Sequence, residues 1–233
     1  MDSNRKTHRR GWPLGRLLIA ALAAVLTASI AAAPASACYT GLTIIPTAET
    51  VGAGQYAIEP QLDGGFPARG ADTRIINTQF GFGERVEAGV DYDLSEEAPT
   101  RVLLNAKYLL APDTERAPGL AVGICNIGRD VKSAPYAVAT HGMTVVRGHL
   151  GVSRIEGANC WFVGMDRALT DRVVVMADYL SGAENFSAVG ASYQFSERFG
   201  VLAGALFPNT RGEETRFTVH LVFTAPYRHA DEE

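Results

Sequence analysis

Three histidines, His141, His149 and His220, fall in segments where apolar and polar residues alternate, and Asp91, Asp166, Asp178 and Ser192 occupy comparable positions in theirs. Those residue types could form a Ser-His-Asp relay, in which the imidazole takes the hydroxyl proton and the carboxylate orients the ring. No motif selects one serine, one histidine and one acid from the set. Ion pairs and hydrogen bonds inside a protein are the expected role of such residues, and no enzyme is expected. The sequence has no Cys-x-x-Cys, no EF-hand pattern and no Gly-rich phosphate loop, so no catalytic residue, metal ligand or cofactor is predicted. The oxygen donors of 178–185 around Gly182 read as an ordinary hairpin turn.

The elements that must position these groups are strands. Candidates fall at about 55–63, 73–82, 85–93, 101–111, 118–128, 134–141, 143–155, 159–167, 171–180, 186–195, 198–207 and 214–224, separated by turn signals such as Asp63-Gly64-Gly65, Ser181-Gly182 and Pro208-Asn209. No stretch after residue 37 has a helical period. Successive side chains on a strand point to opposite faces, which sorts Tyr56, Ile58, Pro60 and Leu62 from Ala57, Glu59, Gln61 and Asp63. Val86, Ala88, Val90 and Tyr92 likewise oppose Glu87, Gly89 and Asp91. Carried along the chain, the polar face holds Glu59, Gln61, Asp63, Glu87, Asp91, Asn105, Lys107, Arg147, His149, Asp166, Asp178, Gln194 and His220.

A turn-and-strand phrase occurs three times, as FGERVEAGVDY, LTDRVVVMADY and FSERFGVLAGALF. In each an acidic residue and an arginine close a turn and an amphipathic strand follows. Repeated hairpins build one antiparallel sheet, and a long sheet leaves two unpaired edges unless it closes into a barrel. The polar face is rich in glycine and alanine (Gly89, Gly123, Gly148, Gly164, Gly190, Gly204) rather than the Lys, Glu and Thr of a solvent face. Small residues with isolated charges suit the wet interior of a narrow barrel. Aromatics near strand ends (Tyr92, Tyr108, Tyr179, Tyr193, Phe207, Phe223) suit bilayer girdles.

Residues 1–37 read as a signal peptide: Arg5, Lys6, Arg9, Arg10 and Arg16, then the uncharged run 17–33, then Ala35-Ser36-Ala37. Without them, five of 21 basic and one of 25 acidic residues are lost, leaving 16 against 24 and a formal charge of −8. That balance argues against a nucleic-acid partner. Cys38 follows the cleavage box and is a candidate for lipidation. Cys125 and Cys160 are predicted to face inward with two strands between them, too far apart to bridge, and both are expected to be free.

The phrase TGLTIIPTAETVGAGQYAIE (40–59) resembles the entry segment of YjbH-like outer-membrane β-barrel proteins associated with exopolysaccharide export, and DYLSGAENFSAVGASYQF (178–195) is similar to their hairpins. The resemblance implies a role tied to envelope polysaccharide, with polysaccharide or envelope-export proteins as partners beside outer-membrane lipid. Unlike most such barrels, the last strand is followed after Phe223 by the polar tail 224–233. The expected fold is all-β: one up-and-down transmembrane barrel of about 10 to 12 strands over 38–233, exported to an outer membrane, its N-terminal segment folding over or into its mouth. The alternatives are a soluble or lipid-anchored periplasmic barrel that binds a small ligand inside, and an outer-membrane enzyme.

Overall fold

The computed structural model describes residues 40–66, 71–95 and 100–227, all within one compact unit spanning 32–233. The signal-peptide and Cys38 expectations lie outside these residues. Twelve strands follow one another: β1 (Gln55–Gly65), β2 (Thr73–Phe82), β3 (Val86–Asp93), β4 (Arg101–Ala111), β5 (Gly119–Ile127), β6 (Ala134–Gly142), β7 (Arg147–Ile155), β8 (Ala158–Thr170), β9 (Val173–Leu180), β10 (Phe186–Ser196), β11 (Phe199–Pro208) and β12 (Arg216–Pro226). Each pairs antiparallel with its sequence neighbours, and β1 pairs with β12 from Gln55↔Pro226 to Gly65↔Arg216, closing the barrel. No described residue is helical. Only β7 starts well away from its predicted position, because 143–146 form a turn in which the Met143 N–H donates to the Val146 carbonyl (2.8 Å).

The links at the two ends differ in length. At the end where β1 begins and β12 ends, the terminus end, lie 83–85, 112–118, 143–146, 171–172 and 197–198; at the other lie 66–72, 94–100, 128–133, 181–185 and 209–215, so the links are shorter on average at the terminus end although 112–118 is as long as any. One short link at that second end, Glu156-Gly157, has positive φ at both residues (50° and 88°), the backbone twist that a two-residue hairpin needs.

Alternation sorts the two faces of the wall. Outward positions expose Leu62, Val102, Leu110, Leu150, Val152 and Met165, while the inward Ala57, Glu59, Gln61 and Asp63 of β1 are buried. Aromatic rings collect near both ends of the outer face. Tyr56, Phe80, Phe82, Phe223 and Tyr227 form one contiguous group, Tyr193, Phe195 and Phe199 another, both at the terminus end, and Trp161 meets Tyr179 nearer the opposite end. The aromatic edge extends past Phe223: Tyr227 donates its hydroxyl to the Gly81 carbonyl (2.7 Å).

The interior departs from expectation in being split. Beneath β5, β6, β8 and β9 the inward residues form a packed apolar cluster that includes Ala121, Tyr136, Val138, Phe162, Met176 and Leu180. Only the wall running from β12 through β1 to β4 is polar throughout its middle. Cys125 and Cys160 both face this interior and do not bridge, since Cys160 is a free, buried thiol. The expectation that both are free fails for Cys125, which is disulfide-bonded. Strand parity places a sulfur on a face but does not identify its partner.

Candidate functional site

Residues 40–54 precede β1; 40–48 lie inside the barrel and 49–54, with Glu49, Gly52 and Ala53 exposed, lead out of it to β1. The first eight fold into a tight hairpin: Leu42 N–H donates to the Ile45 carbonyl (2.8 Å), Gly41 bridges Pro46, and Thr47 N–H donates to the Thr40 carbonyl (3.1 Å). Proline at 46 has no N–H to leave unpaired in the return arm. Leu42 and Ile45 pack into the apolar cluster against the inner wall, each burial stabilising by about 2 kcal/mol. The inner-face glycines make room for this plug. A Cβ at Gly164 would stand 2.6 Å from Ile45 Cδ1 and 2.7 Å from Leu42 Cδ1, and one at Gly190 or Gly204 would stand 2.7 Å from the Thr43 side chain. At Gly81 an added Cβ would collide with the carbonyls of Val51 and Gly52, where the plug leaves the lumen beside β2. Glycine on this face therefore provides a socket rather than open water.

Barrel side chains hold the plug by its backbone. Asp178 on β9 accepts the Thr43 N–H (2.7 Å), Thr140 on β6 accepts the Ala48 N–H (2.9 Å), and Glu87 on β3 accepts the Val51 N–H (2.8 Å). Lys107 on β4 donates to the carbonyls of Thr40 (3.0 Å) and Glu49 (2.8 Å), lies 3.8 Å from Glu87 and meets the Thr40 hydroxyl. Glu49 pairs with Arg147 of β7, which also donates to Asp166 (3.0 Å). A backbone without secondary-structure partners needs its buried N–H groups satisfied, and these carboxylates and hydroxyls do so at several heights along the segment.

Two histidine relays sit in the wall. Thr140 Oγ1 lies 2.9 Å from His149 Nδ1, and His149 Nε2 lies 2.7 Å from Asp166 Oδ1. The assignment that serves every atom has Thr140 accepting from Ala48 and donating to Nδ1, with Nε2–H donating to Asp166. This hydroxyl–imidazole–carboxylate chain has a hydrolase's connectivity, yet Thr140 and His149 are each 2 % exposed and the plug caps the hydroxyl. The relay's hydroxyl is taken up by the Ala48 N–H, so in this arrangement the chain holds Ala48 in place. Across the lumen, His220 Nδ1 meets Glu59 (2.9 Å) and its Nε2 meets Thr218 (2.6 Å), which donates to Asp63 (2.6 Å). Asn77 extends this network, donating to Glu59 and Gln61.

Eleven polar residues that alternation points inward, Glu59, Gln61, Asp63, Glu87, Asp91, Asn105, Lys107, His149, Asp166, Asp178 and His220, are buried on the inner wall, and Arg147 is half-buried at its edge. Gln194 stands apart: it is exposed near the end of β10 and donates to the Ser196 carbonyl (2.6 Å). Ser192 joins neither relay; Thr140 takes the hydroxyl position in one and Thr218 in the other. Asn77, Gln79, Thr140 and Thr218 share the inward parity and were legible by it, whereas the plug contacts have no sequence signal beyond the hairpin-forming Thr40–Thr47 stretch.

A cavity of about 520 Å³ opens at the terminus end between the plug and the wall, lined by Thr40, Glu49, Gln55, Asp113, Thr140 and Thr224 among others. Asp113, in the 112–118 link, accepts from His141 Nδ1 (2.9 Å) and from the Gly142 N–H (2.8 Å). Partial desolvation pushes its carboxyl up, but these two bonds outweigh it and hold the group below the ordinary carboxylate value.

No protein family matches the sequence, and no curated protein is similar to it. Solved structures do resemble the fold. The KdgM porin superposes with a TM-score of 0.57 at 11 % identity over 72 % of this chain and 98 % of that one. KdgM in complex with disordered oligogalacturonate gives 0.54 at 10 % identity over the same shares. The fold of this chain is that of a porin-like, closed twelve-stranded antiparallel barrel.

Proposed function

We propose that this protein is an outer-membrane β-barrel whose lumen is closed by its own N-terminal segment, with a structural or transport role in the cell envelope. The observation that carries the reading is the 40–47 hairpin, seated in a glycine-lined socket and held through backbone groups by Asp178, Thr140, Glu87 and Lys107. Wall and plug are built for each other, and a barrel that transports must move the plug aside.

The outer face supports membrane insertion. Leaving apolar surface in water costs about 25 cal/mol per Å², and the wall exposes a continuous apolar band with aromatic groups near both ends. The end where β1 begins and β12 ends, with the shorter links on average, is then the periplasmic one. The porin-like fold fits a conduit, and the resemblance of the 40–59 phrase to YjbH-like proteins connects that conduit with exopolysaccharide export and its envelope partners.

The test is physical. Expressed with its leader, the protein should sediment with membranes, resist alkaline extraction and migrate faster on a gel unboiled than boiled, because a closed hydrogen-bonded barrel survives detergent. Recovery as a monodisperse soluble protein without detergent would overturn the membrane reading and favour a periplasmic barrel that binds a ligand inside.

A further inference from the structure

The inner wall is unevenly charged. Its mid-section, among the described residues, carries six carboxylates, Glu59, Asp63, Glu87, Asp91, Asp166 and Asp178, against the two fixed cations Lys107 and Arg147. Both cations are already committed, Lys107 to Glu87 and Arg147 to Asp166. Of the remaining acids, Glu59 faces His220, whereas Asp63 is held by Gln61 and Thr218, Asp91 by Asn105, and Asp178 by the Thr43 N–H of the plug. On the same polar wall, Asn77 Oδ1 and Asp91 Oδ1 are buried acceptors with no protein donor. Even with both histidines charged, carboxylates outnumber cations.

We infer that, with the plug displaced, the lumen is a cation-preferring pathway that admits neutral and cationic hydrophilic solutes and disfavours acidic oligosaccharides. Carboxylates wetted by an opened lumen are ionised at neutral pH, and rings of Asp and Glu in a low-dielectric wall concentrate cations and repel anions. Displacing the plug frees Asp178 and Glu87 from the backbone N–H groups they accept and frees Lys107 and Arg147 from Thr40 and Glu49, so the wall's own six carboxylates and two fixed cations set the charge that faces the pore. The expectation runs against simple transfer from the neighbouring structure that holds oligogalacturonate, a polyanion. This inference rests on the transport reading above.

The experiment uses two plug variants of the full chain in planar bilayers: a deletion of residues 40–50, and Leu42→Asp/Ile45→Asp, which keeps every barrel residue and expels the tip from its apolar socket. Heat-modifiable migration establishes that each has a closed barrel. In a KCl gradient the reversal potential should report K⁺ over Cl⁻ by about tenfold, and Asp91→Asn/Asp178→Asn on the same background should bring the ratio toward one. In vesicle swelling, neutral oligosaccharides should enter faster than oligogalacturonate of equal length. Conductance with no preference or with Cl⁻ preference would overturn the inference and leave the conduit standing. Silence from both variants, with the barrel intact, would overturn the conduit and the inference together.

Discussion

The two halves of the lumen use different physics to hold one segment. Around β5, β6, β8 and β9 the wall offers Phe162, Tyr136, Val138 and Leu180, and the plug answers with Leu42 and Ile45. That contact is non-directional and gains energy by excluding water. Around β12 and β1 to β4 the wall offers Glu59, Asp63, Asn77, Glu87 and Lys107, bonded to each other and to plug backbone. Such a network depends on geometry, and each unpaired member is costly. The apolar half therefore supplies most of the adhesion, with Thr140 of β6 and Asp178 of β9 adding directed bonds to Ala48 and Thr43, while the polar half fixes register through its network and remains wettable once the plug leaves.

The sharpest way to break this contrast is at the apolar wall. Phe162 is fully buried beside the plug tip, and Phe162→Ala should cost about 3–5 kcal/mol. Urea unfolding of the micelle-bound protein should show this loss, and limited proteolysis should cut the N-terminal segment sooner. A small loss with an unchanged cleavage rate would mean that the apolar half does not hold the plug. Next in size is a change on the outer face. Leu221→Arg on the outward face, which the proposed function sets in a bilayer, should cost about 2–4 kcal/mol and block membrane assembly, while Ser192→Arg, inward and half-buried, should assemble. Equal behaviour of the two would turn the wall inside out.

The polar wall should respond less. Thr218→Val removes the hydroxyl shared by Asp63 and His220, with an expected cost of about 1–3 kcal/mol and little change in plug cleavage, since neither partner touches the plug hairpin. Cleavage as fast as in Phe162→Ala would show that the two halves act as one unit. The smallest effect lies outside both. Because the Asp113 carboxyl is held below its ordinary value, its contribution is present in full above the ordinary carboxylate range and fades as pH falls through the folded value. Wild type should show a slightly steeper loss of thermal stability than Asp113→Asn between about pH 5 and pH 2; identical slopes would remove the His141 contact as a stabilising element.

Much of this fold could be read without coordinates, since alternation is local. The period of two in Tyr56 to Asp63 or in Val86 to Tyr92 is fixed by the chain itself, so strand positions, facing and even the two strands separating Cys125 from Cys160 follow from it. The repeated turns imply consecutive antiparallel neighbours, and from there closure of the sheet. Alternation also placed Glu87, Lys107, His149 and Asp178 on one face. It could not say what they face. The pairings of Thr43 with Asp178, 135 residues apart, and of Thr40 with Glu87, 47 apart, depend on how the closed wall meets the entry segment. The same is true of the glycine socket, the burial of Phe162 and the bonding of Cys125, because inward-facing residues on distant strands meet only once the barrel closes. Sequence alone determined which side of the wall each residue takes; the closed tertiary structure decided that the inside is occupied, and by which residues, because a lumen exists only when β1 finds β12.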